Sequence, residues 1–177
     1  KIETNEFAKL SAATLNIGSG AGNPITNTAA TTVTNTNLNI NAGLQPITLS
    51  LANDFQGTVS LSSTNNGVTY PATTITDVNT LKLGTVNVGG ALAVTSTGTT
   101  LNNNVTTGKG AVSFTGPVTL ANNILVNATD TANSTVAFGG TVDGTAAGSQ
   151  SLTVQNASST TFSGTVGNTT ALRDRKS

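Results

Sequence analysis

The chain contains no cysteine, histidine, methionine or tryptophan. Without cysteine there is no disulfide framework and no thiolate chemistry, and without histidine there is no imidazole base for a nucleophilic triad. Charge is scarce as well. Asp, Glu, Lys and Arg make up 8% of the residues, against about 25% in an ordinary soluble domain. Seven cations balance seven anions, so no basic surface is available to neutralise phosphates, and nucleic acid is excluded as an expected partner. No apolar run approaches the roughly 20 residues of a membrane-spanning helix, so no membrane span is expected in this segment. Strong helix formers are rare through the middle of the chain, which removes the usual material for a helical fold.

What remains is Asn, Thr, Ser, Gly and Ala, interleaved with Val, Leu, Ile and Phe. Thr and Val suit a pleated strand, while Asn and Gly suit tight corners. A polar composition of this kind raises disorder as an alternative. The hydrophobic fraction of 36% and the formal net charge of zero speak against it, as does the regular return of the apolar residues.

That return has a period of 24 residues. Phe114-Thr115-Gly116-Pro117-Val118 recurs as Phe138-Gly139-Gly140-Thr141-Val142 and as Phe162-Ser163-Gly164-Thr165-Val166. Phe55-Gln56-Gly57-Thr58-Val59 is an upstream copy out of strict phase, and Leu83-Gly84-Thr85-Val86 is a shortened relative. One repeat holds three short strands and three corners, which is one coil of a solenoid. Successive coils then stack about 4.8 Å apart. The expected fold is all-β, a right-handed parallel β-helix of about 24 residues per coil and roughly seven coils. Within it, Phe114, Phe138 and Phe162 form one internal ladder and Val118, Val142 and Val166 a second. Read as a single strand, the motif points Phe, Gly and Val to the same inward side, with Gly116, Gly140 and Gly164 leaving room for a coil bend. An antiparallel sandwich is disfavoured, because its repeat needs about 100 residues.

Charges cluster at the ends: Lys1, Glu3, Glu6 and Lys9 at one, Arg173, Asp174, Arg175 and Lys176 at the other. The expected organisation is an N-terminal cap or flank over 1–10, the solenoid over 11–172 and a basic tail over 173–177. The chain starts at Lys1 with no Met and no signal-peptide pattern, which is read as a mature or excised fragment.

The repeat style resembles a known family. Residues 81–95 (LKLGTVNVGGALAVT), together with Gln150-Ser151-Leu152-Thr153-Val154 and Thr160-Thr161-Phe162-Ser163-Gly164-Thr165-Val166, are similar to the repeats of filamentous-haemagglutinin-like exoproteins. Autotransporter passengers of Gram-negative bacteria look similar. The resemblance covers roughly residues 75–170. It implies secretion across the outer membrane to the surface of a Gram-negative bacterium, a long right-handed β-helix, and adhesion to a host-cell or bacterial surface receptor or glycan. The chain departs from the full family pattern in lacking a recognisable N-terminal secretion domain and a membrane barrel.

Chemistry-bearing residues are few. Asp54 and Asp77 lie near one coil apart, so a paired-carboxylate glycosidase site is an open alternative. Asp in a corner, bonded to local backbone, is the plainer account. Val142-Asp143-Gly144 occurs once, with no repeated calcium motif, and no metal or cofactor is expected. Gly18-Ser19-Gly20-Ala21-Gly22 lacks the Lys-Ser/Thr of a phosphate loop. The sets Thr26/Thr28, Thr32/Thr34/Thr36, Thr95/Thr97 and Thr129/Thr131 raise an ice-binding face, but their spacings do not match 24. Asn104, Asn127, Asn133, Asn156 and Asn168 are formal Asn-x-Ser/Thr acceptors. The function that fits these features is a stiff adhesive shaft with no enzyme site. The alternatives are a self-assembling extracellular fibre subunit joined end to end and, third, a carbohydrate-active β-helix.

Overall fold

A computed structural model describes residues 13–18, 23–34 and 36–173. The expected cap at 1–10 and all but Arg173 of the basic tail lie outside the described residues. Strands alternate with corners throughout, and no described residue is helical. The chain opens with β1 (Thr14–Gly18), β2 (Ile25–Thr26), β3 (Thr32–Val33) and β4 (Asn37–Asn41). It continues through β5 (Ile47–Phe55), β6 (Thr58–Ser62), β7 (Thr73–Asp77) and β8 (Thr80–Val88). Then come β9 (Leu92–Thr95), β10 (Gly98–Leu101), β11 (Val105–Thr107), β12 (Val112–Phe114), β13 (Val118–Leu120) and β14 (Ile124–Ala128). The last four are β15 (Thr135–Phe138), β16 (Val142–Gly144), β17 (Leu152–Gln155) and β18 (Ser159–Phe162).

Every strand pairing is parallel. One sheet runs β2-β5-β7-β9-β12-β15-β18, so the chain passes the same face once per turn, and the fold is a β-solenoid of about seven turns. The other begins β1-β4-β6-β8 and divides at β8. The first half of β8 continues into β10, β13 and β16, and the second half into β11, β14 and β17. From β9 onward each coil therefore has three short strands and three corners. β8 spans both columns in one strand and carries an extra residue at Gly84–Thr85, where the register shifts from Val59↔Leu83 to Leu61↔Val86. Such a bulge bends the strand without breaking it.

The coil is not uniformly 24 residues. Phe114↔Phe138 and Phe138↔Phe162 keep that step, but Leu81↔Thr99 is a step of 18 and Ile124↔Leu152 a step of 28. Strand length is held by the stacked sheets, whereas corners face solvent and absorb insertions. The residues 63–72 form one such outgrowth and 145–151 another.

The interior is a largely apolar column. Leu81, Leu83, Leu101, Val105, Val112, Leu120, Val126 and Val142 are fully buried, and each contributes roughly 1.5–3 kcal/mol relative to exposure. The phenylalanines stack face to face. Ring centroids of Phe114 and Phe138 lie 5.5 Å apart, and those of Phe138 and Phe162 lie 5.0 Å apart at 4°. Phe114 and Phe138 are buried, but Phe162 is 41% exposed and Val166 47% exposed. The third rung of both ladders thus stands at the open end of the described column, covered from one side only. Val166 still bridges to Val142.

The motif's glycines require a correction. Phe114 and Val118 both point inward, but they belong to successive strands, and Gly116 lies in the corner between β12 and β13. Gly140 and Gly164 occupy the equivalent corners. Glycine is needed there because one coil's backbone rests on the next. A Cβ on Gly140 would lie 2.5 Å from the Pro117 nitrogen, and one on Gly164 would lie 2.6 Å from the Gly140 carbonyl carbon. Pro117 sits in the same corner, outside any strand, so its missing N–H costs no strand pairing.

Candidate functional site

The carboxylates considered from the sequence do not form an exposed pair. The register sets Asn53, not Asp54, beside Asp77. A one-residue offset reverses the facing of a strand residue, so Asp77 is buried, 2% exposed, while Asp54 is half-buried at the surface. Asp77 holds backbone. Its Oδ2 accepts the Phe55 N–H at 2.7 Å and its Oδ1 accepts the Asn79 N–H at 2.7 Å. Burial pushes its carboxyl above the usual carboxylate range, against the opposing pull of the two N–H groups, and the Asp54 charge adds to the rise. One coil earlier, Asn53 does the same work. Its Oδ1 accepts from the Asn27 amide and the Thr31 N–H, and its Nδ2 donates to the carbonyls of Leu49, Leu51 and Thr76. This internal polar corner closes the column where β5 carries its irregularity between Leu49 and Asn53. Leu51 is pushed out there and is 38% exposed.

Asp143 is also a backbone holder. The N–H of Thr170, and with it that of Thr169, donates to its Oδ1 at 3.1 and 2.9 Å and holds its carboxyl below the usual range. These bonds tie the segment after β18 back onto β16. Among the described residues no three of His, Cys, Asp and Glu gather into a metal-binding group. Among the described residues no helix is long and apolar enough to cross a membrane.

The outward surface is where chemistry is displayed. Along the column of β4, β6, β8, β11, β14 and β17, one outward ladder reads Asn41, Ser62, Asn87, Thr106, Asn127 and Gln155. A shorter ladder of Asn16, Asn39 and Ser60 runs beside it, with the Asn39 amide donating to Asn16 Oδ1 at 2.9 Å. Farther along, the Asn156 amide donates to Asn127 Oδ1 at 2.8 Å. Every side chain in these ladders is a neutral amide or hydroxyl.

Three shallow clefts follow this face. The first, about 440 Å³, lies over Asn16, Asn39, Asn41, Ser60, Ser62, Thr85 and Asn87. The second, about 280 Å³, shares Asn87 and reaches Asn65, Thr106, Gly108 and Thr129. The third, about 380 Å³, shares Asn65, Gly108 and Thr129 and ends on Tyr70, Lys109 and Asp130. Through these shared residues they form one track across the coils, with Ile17, Ile40 and Leu61 also lining the first cleft, and the 63–72 outgrowth walls one end. The Lys109 ammonium lies 5.2 Å from the centre of the Tyr70 ring, a cation–π arrangement. The Tyr70 hydroxyl donates to the Gly67 carbonyl at 2.9 Å, which fixes the ring to its own loop.

The turn signal Asn65-Asn66-Gly67 is readable in the sequence, but the track is not. Its residues come from separate coils of unequal length, so their adjacency depends on the irregular steps. The single tyrosine, placed beside that turn, was the available signal. The threonine pairs weighed for an ice-binding face do not themselves stack. The aligned column on the opposite sheet is Thr26, Thr48, Thr74, Ala93, Ser113, Ala137 and Thr161.

No protein-family model, no curated protein and no solved structure matches this chain.

Proposed function

We propose that the chain is the adhesive, load-carrying segment of a secreted or surface-exposed bacterial adhesin, a stiff rod that attaches to a receptor or glycan on another surface. The observation that carries this reading is the unbroken outward ladder of neutral amides and hydroxyls from Asn41 to Gln155. A rigid scaffold fixes the spacing of these groups, so binding to a polar partner loses little conformational entropy. The same spacing distributes many weak hydrogen bonds over a long track instead of focusing them in a pocket. Placement outside a Gram-negative cell is supported by the likeness of residues 81–95 and 150–166 to exoprotein repeats.

The test is attachment of beads coated with the purified chain to host-cell and bacterial surfaces. A variant carrying Ser62→Glu, Asn87→Glu and Thr106→Glu places three like charges in adjacent rungs. Attachment of the parent and its loss in a still-folded variant is expected. Equal attachment by both, or none by either, removes the proposal.

A second reading, a self-assembling fibre subunit, takes its support from Phe162 and Val166, which are half-exposed on the last described coil. It expects the isolated chain to form filaments, and Phe162→Asp to abolish them.

A further inference from the structure

We infer that the cleft beneath the 63–72 outgrowth is a binding subsite for an acidic sugar, with the Lys109 ammonium recognising its anionic group. The inference rests on the adhesive reading and names the ligand class for one end of its polar track.

One charge in this cleft is uncommitted. Among the described residues Lys109 makes no ion pair and no hydrogen bond through its ammonium; its recorded partner is the Tyr70 ring. A cation held over an aromatic face is positioned without being neutralised. The facing carboxylate is engaged differently. Asp130 Oδ1 accepts the Ala132 N–H at 3.2 Å, and Oδ2 accepts the Asn133 amide at 3.3 Å. The cleft therefore offers a positioned, uncommitted positive charge beside a negative charge already tied into its own turn.

The floor supplies the complementary groups for sugar hydroxyls. Asn65 uses its Oδ1 to accept the Gly67 N–H at 3.3 Å, and its amide nitrogen is left as a donor. Thr129 donates its hydroxyl hydrogen to the carbonyls of Thr107 and Gly108, and its oxygen is left as an acceptor. Gly108 keeps this floor low: a Cβ there would run into the Gly89 carbonyl and stand 3.2 Å from the Asn65 amide nitrogen. A donor, an acceptor and a fixed cation around a cleft of about 380 Å³ match a monosaccharide that carries a carboxylate or sulfate among its hydroxyls. Charge-assisted hydrogen bonds are roughly twice as strong as neutral ones, so Lys109 is the discriminating group.

The probe is a matched pair, a uronate oligosaccharide and its carboxyl-reduced neutral counterpart, titrated into the full chain by calorimetry. The acidic form is expected to bind at least about tenfold more tightly, the factor that one such interaction supplies. Lys109→Met is expected to remove that preference while leaving the melting curve unchanged. Asp130→Asn, which removes a nearby like charge, is expected to tighten binding of the acidic form. Equal binding of the two sugars, an unaltered preference in Lys109→Met, or no binding of either overturns the inference. If coated beads still attach to cells while neither sugar binds, the cleft inference falls and the adhesive reading stands. If the uronate binds through Lys109 while beads fail to attach, the reverse holds.

Discussion

Phe138 has a ring above it and a ring below it, and no exposure to solvent. Truncating it leaves a cavity that neighbouring coils cannot collapse into, because their backbones are fixed by the sheets. Phe138→Ala is expected to cost about 3–5 kcal/mol in denaturant unfolding. Phe162→Ala, at the open end, is expected to cost about half as much or less. Equal losses would show that the two rungs are covered alike. Gly140 carries a different constraint at the same scale. Its Cβ would strike the backbone of the previous coil, so Gly140→Ala forces a shift expected to cost about 1–3 kcal/mol. Gly148, around which a Cβ would meet nothing within 4 Å, shows that glycine at a corner does not always mean close approach.

At the scale of elements, corners and strands follow different rules. The Phe and Val ladders are legible because two consecutive steps near the C-terminus, Phe114 to Phe138 and Phe138 to Phe162, share one length, so a plain spacing of 24 reveals them. The upstream coils were less legible because their corners differ. The 63–72 outgrowth between β6 and β7 and residues 89–91 between β8 and β9 take different numbers of residues to link strands of the same columns. The inward facing of Gly116 was misread because a strand and a glycine corner both place residues i and i+4 on the inside. The buried polar corner was hidden as well: Asn53 and Asp77 look like turn residues in sequence, and only the register shows them to be internal.

That corner gives a pH dependence with a definite sign. Asp77 has a raised folded-state pKa, so the folded chain binds this proton more tightly than the unfolded chain. Its contribution is most favourable below the ordinary value and is lost as pH rises through the raised one. Asp143 is lowered, so its contribution is present above the ordinary value and is lost as pH falls through the lowered one. Urea midpoints measured across the acid range should show Asp77→Asn losing the first dependence and Asp143→Asn losing the second. Identical profiles for parent and variants would contradict the assignment. Asp77→Ala, which leaves the buried Phe55 N–H without an acceptor, is expected to cost about 1–3 kcal/mol.

At the scale of the whole molecule, the solenoid separates a buried column from its outward faces. The column inside fixes the pitch, and the faces outside are free to carry whatever side chains a partner needs. This is why the fold was readable from apolar spacing, while the polar track was not: it is assembled from residues in different coils. The account depends on parallel coils stacking at constant height whatever their length. The absence of cysteine makes a direct measurement clean, since spin labels attach only where cysteines are introduced. The outward column Thr48, Thr74, Ala93, Ser113, Ala137 and Thr161 advances one coil per residue named. Pulsed electron–electron distances should be taken from a label at Thr48 to one at Ala137, and then to one at Thr161. Backbone separations of about 19 Å and about 24 Å are predicted, one step of about 4.8 Å per coil. Distances that follow the number of intervening residues, or that spread broadly, would contradict the stacked-coil account.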